Sequence, residues 1–88
     1  MTYRIVIDDQ ALAELAKLPK KIRRQIANKI DKLASNPRPA GFNIIQQNKS
    51  LCRIRSGDYR IVYQIRQEQV LVLIVRIGHR KKVYKKLR

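Results

Sequence analysis

The stretch from Leu51 to Gln64, LCRIRSGDYRIVYQ, constrains the fold more than any other, because it reads as a β-hairpin in a single register. Cys52 and Ile54 alternate with Arg53 and Arg55. After Gly57-Asp58, Tyr59, Ile61 and Tyr63 alternate with Arg60, Val62 and Gln64. Strand side chains alternate faces with period two, so each strand carries an apolar and a basic side. Gly57-Asp58 suits a two-residue type II′ turn with glycine supplying the positive φ. That turn pairs Ser56 with Tyr59, Arg55 with Arg60, Ile54 with Ile61, Arg53 with Val62 and Cys52 with Tyr63. A three-residue loop would set Arg60 opposite Ile54 and mix the faces. The favoured register gathers Arg53, Arg55 and Arg60 on one side.

Like charges facing each other across a sheet cost up to about 1 kcal/mol a pair. Three arginines on one face therefore suggest a polyanion, most simply a phosphodiester held by guanidinium forks. The plainer account is a solvated face of a half-buried sheet. Composition sharpens the choice. Lys and Arg number 21 against 6 Asp and Glu, a formal net charge of +15 on 88 residues. Such an excess favours nucleic acid, an anionic membrane surface or an acidic protein partner. The length suits one domain, residues 1–88, with one modest core. The single cysteine, Cys52, falls on the apolar side of the hairpin and reads as a core residue. One cysteine makes no internal disulfide, and no segment is long enough to span a bilayer. The expectation is a cytoplasmic protein without a membrane role.

Upstream of the hairpin, Tyr3 to Ile7 reads as a short strand, followed by Asp8 or Asp9 as a helix N-cap. A first helix, Ala11 to Leu18, aligns Leu12, Leu15 and Leu18. Pro19 opens a second helix at its first turn. There Ile22, Ile26, Ile30 and Leu33 form an apolar stripe among lysines and arginines, which read as a solvated surface. Ser35 to Gly41, SNPRPAG, breaks the helix, and Phe42 to Ser50 reads as a connecting loop. Downstream of the hairpin, Gln67-Glu68-Gln69 makes a second turn and Val70 to Ile77, VLVLIVRI, a covered central strand that Gly78 ends. His79 to Arg88 is a basic tail with a turn or two of helix. The fold class is α+β: a small antiparallel sheet, β-α-α-β-β-β, packed against a helical hairpin.

Arg53-Ile54-Arg55-Ser56-Gly57-Asp58-Tyr59-Arg60-Ile61-Val62-Tyr63, followed by Gly78-His79-Arg80 and Val83-Tyr84, resembles the RelE/ParE toxin superfamily of bacterial toxin–antitoxin systems. The amino-terminal half, with its LAKLPK helix and NPRP breaker, is similar too. The resemblance implies a ribosome-dependent endoribonuclease that cuts mRNA in the A site. The 2′-hydroxyl attacks the adjacent phosphate and leaves 2′,3′-cyclic phosphate and 5′-hydroxyl ends, with no metal or other cofactor. It implies catalytic roles for Arg60 (transition-state charge), Arg53 (phosphate or leaving group), Arg80 (the 5′-oxygen) and Tyr84 (nucleophile orientation or base stacking). Arg55, Lys49, Lys81 and Lys82 are the expected RNA contacts. Some RelE enzymes carry a lysine, cast as general base, where this chain has Leu51. Arginine is a poor proton acceptor, which leaves His79, Lys49 and Tyr84 as alternatives. The implied partners are the ribosome, mRNA and a RelB-like antitoxin with an acidic toxin-binding segment, in a hetero-oligomer. ParE-type members share the fold and poison DNA gyrase, and a non-catalytic RNA-binding module is the third reading.

Overall fold

The computed structural model describes residues 2–46 and 48–79. Strand β1 (Arg4–Ile7) leads into helices α1 (Asp9–Ala16) and α2 (Lys20–Leu33). Strands β2 (Asn43–Ile44), β3 (Cys52–Ser56), β4 (Tyr59–Arg66) and β5 (Leu71–His79) follow, with a 3₁₀ turn at Gln67–Gln69. The strands form one sheet in the order β1-β5-β4-β3-β2. The hairpin register is the one the sequence dictates, from Cys52 opposite Tyr63 to Ser56 opposite Tyr59. Gly57 takes φ +61°, as the first turn position of a type II′ hairpin requires.

Three features of the sheet differ from the sequence expectation. The sheet is mixed, because β1 pairs parallel with β5, Arg4 beside Leu71 through Ile7 beside Ile74. The stretch expected to be all loop contains β2, whose two residues pair with Arg53 and Cys52. Gly78 does not end the last strand: β5 runs on to His79, and Gly78 sits opposite Arg60. The tail helix expected after it lies outside the described residues.

Both helices cover one face of the sheet. Ala11, Leu15, Ile26, Ile30 and Leu33 pack against Cys52, Ile54, Ile61, Tyr63, Val72, Ile74 and Ile77. The α2 stripe is therefore as expected, each buried aliphatic contributing about 1.5–3 kcal/mol. On α1 the stripe runs through Ala11 rather than Leu12, which is 51% exposed. Ala11 and Leu15 are four apart and share a face, whereas Leu12 is turned a further 100° or so. Asp8 and Pro19 occupy the N-cap positions of the two helices, neither with a side-chain cap bond. Tyr63 is fully buried and donates its hydroxyl to the Pro37 carbonyl at 2.7 Å, pinning the NPRP segment to the core. Burial, with the neighbouring Cys52 thiol second, pushes the Tyr63 phenol up, and burial also raises the Cys52 thiol. Both groups stay neutral at physiological pH, as core residues should. No helix among the described residues is long and apolar enough to cross a membrane.

The outer face carries a smaller cluster in which Ile45, Leu51 and Val62 are buried against Val75. Ile45 and Leu51 are tied there by Ile45 N–H to the Leu51 carbonyl at 2.9 Å, and Leu51 N–H donates to the Asn48 carbonyl at 3.0 Å. Leu51, at the position where some RelE enzymes carry a lysine, is here a core contact.

Among the described residues, one non-glycine backbone position is strained. Val70, between the 3₁₀ turn and β5, adopts φ 49°, ψ 52°, a left-handed conformation that β-branched residues avoid. Asparagine tolerates it. Val70→Asn is expected to stabilise the fold by about 0.5–1 kcal/mol, raising the melting temperature by roughly 2–8 °C for a domain of this size. A thermal melt followed by circular dichroism checks this, and an unchanged or lower midpoint refutes it.

Candidate polyanion-binding cleft

The hairpin register fixes where the arginines stand. Arg53 pairs with Val62 and Arg55 with Arg60, so all three lie on the face away from the helices. They differ in exposure: Arg55 is exposed, Arg53 half-buried, and Arg60 only 7% exposed. The arginine face is thus less open than the sequence suggests. Gly78, opposite Arg60 on the other neighbouring strand, offers no side chain, which leaves room for a guanidinium to lie down against the sheet. The Arg60 Nε is buried without a hydrogen-bond partner, and its Nη1 makes one long contact of 3.5 Å, donated to the Tyr59 carbonyl. A buried, under-satisfied guanidinium costs about 1–3 kcal/mol. The Arg76 Nε is buried without a partner in the same way.

On the N-terminal side of Asn43 the chain lies off β3, and among the described residues no strand pairs with the β3 edge from Ile54 to Ser56. A cleft of about 580 Å³ opens there, lined by Arg53, Arg55, Arg60, Ile54, Lys29, Lys32, Leu33 and the turn Pro39–Gly41 with Asn43. Because Leu33 and Ile54 belong to the helix side and the arginines to the outer side, the cleft bends around the open sheet edge. Among the described residues, five that line it are cations and none is a carboxylate. In a partly desolvated cleft such a field is focused and attracts anions.

The sequence pattern puts Lys29 and Lys32 on a solvated helix surface and does not connect them with the hairpin. The one signal is their spacing: three residues apart, they project only about 60° from each other around the helix. The expected contacts fare differently. Arg53, Arg55 and Arg60 come together in the cleft. Lys49 lies in the turn before β3 and lines a second cleft with Arg38, Phe42 and Gln64. His79 pairs with Tyr59 at the end of β5, their rings edge-to-face at 5.8 Å, and so stands on the Tyr59 side of the ribbon rather than among the arginines. Arg80, Lys81, Lys82 and Tyr84 lie outside the described residues.

The hairpin of this small α+β domain thus turns a cationic cleft outward. Comparison with known proteins narrows the class. The family model for the ParE toxin of the type II toxin–antitoxin system parDE matches residues 5–84. The mRNA interferase toxin RelE of Escherichia coli K12 is 32% identical over 89 residues, covering 93% of this chain and 87% of that protein. Toxin RelG of Mycobacterium tuberculosis is 28% identical, over 98% of this chain and 100% of that one. Among solved structures, the RelBE2 toxin–antitoxin complex of M. tuberculosis aligns with a TM-score of 0.81 at 26% identity, over 91% of this chain and 100% of that one. The intact E. coli RelBE complex aligns at 0.76 and 32% identity, over 88% and 95%. The chain belongs to the RelE/ParE superfamily of toxins from type II toxin–antitoxin systems.

Proposed function

We propose that this toxin is an endoribonuclease of the RelE type, cutting mRNA on the ribosome and held in check by a RelB-like antitoxin. The observation that carries the reading is the cleft in which Arg60, with its unsatisfied Nε, meets four further cations and, among the described residues, no carboxylate. In the reaction the 2′-oxygen forms a bond to the adjacent phosphorus and the bond from phosphorus to the 5′-oxygen breaks. The 2′-hydroxyl loses its proton and the departing 5′-oxygen gains one. The products are a 2′,3′-cyclic phosphate and a 5′-hydroxyl, and no metal takes part. Negative charge grows on the non-bridging oxygens in the transition state. A guanidinium already seated there stabilises it without reorganisation. Arg53 and Arg55 hold the phosphate, Arg80 serves the 5′-oxygen, and Tyr84 orients the nucleophile or stacks on a base. Neither His79 nor Lys49 lines the cleft, so this reading gives neither of them the proton. Orientation of the strand comes largely from the ribosome, which makes the attack effectively unimolecular.

Primer extension on translated transcripts after brief induction tests the proposal. New ends are expected inside translated regions, and they should accept phosphate from a kinase because they carry 5′-hydroxyls. Intact mRNA during growth arrest would refute it. A specific observation keeps one alternative in view: the matched family model is the ParE one. DNA damage with trapped gyrase cleavage complexes and untouched mRNA would establish that reading instead. In either case a partner with an acidic segment should co-purify, since it would screen a chain of net charge +15.

A further inference from the structure

The geometry points to a second phosphate seat in the same cleft, made by Lys29 and Lys32 of α2, so that the toxin grips a single strand across successive linkages. The inference rests on the RNA-directed reading above and extends it to residues outside the hairpin. Lys29 and Lys32 are exposed and line the cleft from α2, together with Arg53, Arg55 and Arg60 of the hairpin. The acidic residue between them, Asp31, projects about 160° away from Lys29 around the helix and does not line the cleft. At about 580 Å³ the cleft is in the range of ligand pockets, roughly 300–1,000 Å³, and far exceeds what one phosphate fills. Its walls differ in chemistry. Arg60 is buried, with one long contact from its Nη1 to the Tyr59 carbonyl, which suits a fixed contact to one linkage. The lysines are mobile point charges, which suit a neighbouring phosphate of looser geometry. The turn at Gly41, with φ +87°, and Asn43 line the same cleft. One seat orients the scissile linkage, and the other fixes the direction in which the strand runs past it.

Binding of a fluorescent 2′-O-methyl hexaribonucleotide, which has no attacking hydroxyl, tests this without cleavage. For single strands, each phosphate that the protein neutralises adds about 0.7 to the steepness with which log K falls against log salt. Lys29→Ala with Lys32→Ala is expected to weaken binding about tenfold near physiological salt and to flatten the slope by about 1.4. Lys20→Ala with Lys21→Ala removes the same charge from the other end of α2 and should leave the slope nearly unchanged. If both pairs of substitutions change the slope equally, or neither does, the second seat does not exist. Should the wild type bind with the expected slope yet leave translated mRNA intact, the nuclease reading fails while the seat stands. Should it cleave mRNA while the Lys29/Lys32 variant binds as the control does, the seat fails alone.

Discussion

Replacing Arg60 with methionine is expected to lower ribosome-dependent cleavage by about 10²–10³-fold while leaving the protein as stable as before or more so. The two halves of this expectation have one cause. Arg60 is only 7% exposed yet its Nε finds no acceptor, and across the hairpin it faces Arg55. The free protein therefore holds a cation in an environment that does not satisfy it. Methionine keeps the unbranched stem and removes both the charge and the orphaned N–H. A gain of about 1 kcal/mol, or roughly 4–8 °C in melting temperature, follows for a domain of this size. Arg60→Lys keeps the charge and loses the fork, so it should recover only part of the activity. The paired measurement is decisive because a structural arginine behaves the other way. Wild-type cleavage by the methionine variant would remove Arg60 from the mechanism. A melting temperature lowered by roughly the same 4–8 °C or more would show that the guanidinium is a structural tie.

The second large effect concerns Glu14. This residue of α1 accepts a hydrogen bond from the Ile77 N–H at 2.9 Å and pairs with Arg76 Nη2 at 2.8 Å. It reaches β5 just beyond Ile74, the last residue that β1 pairs, and so supplies the acceptor that the short strand cannot. The Arg76 side chain is 8% exposed and that of Glu14 19%, so the pair is desolvated but not sealed. Glu14→Ala leaves a buried guanidinium and a strand amide without acceptors. Losing one member of a buried pair costs about 3–5 kcal/mol, and the residual exposure of Glu14 favours the lower end. A fall of roughly 12–24 °C in melting temperature is expected. Glu14→Gln, which retains an acceptor, should lose about half as much. The informative companion is Glu14→Ala with Arg76→Met, because replacing both charges by apolar groups is often close to neutral. Recovery of most of the lost stability in the double variant is the expected result. Additive losses in this double-mutant cycle would show that the two side chains are not coupled.

The hairpin is legible in the sequence because its information is local: period-two alternation and one glycine at a turn leave a single register. The stripe on α2 is legible for the same reason, four residues at helical spacing. What escapes the sequence is what distant segments decide together. Nothing in RIVI announces that it will lie parallel to LVLI. A two-residue strand such as Asn43-Ile44 has no periodicity to read. Leu12 has the spacing of a buried residue, but Ala11 holds the inner position, since a small residue against a strand permits closer approach than a leucine. The pairing of Arg60 with Gly78 is set by a strand far along the chain. The meeting of Lys29 and Lys32 with the hairpin depends on where β2 begins. For the site, the hairpin wall of the cleft can be read from local pattern, and the helical wall cannot.

The parallel pairing of β1 with β5 has a consequence for when the sheet is complete. The first strand of the sheet waits for a neighbour that is synthesised after nearly all of the described chain. Contacts so remote in sequence are slow to form and cannot form early. Until β5 leaves the ribosome, β4 lacks one flank, Ile5 and Ile7 have no sheet to join, and Gly78 is not yet there to pair with Arg60. Closure of the sheet thus waits on β5, and until it forms the place beside β1 stands open.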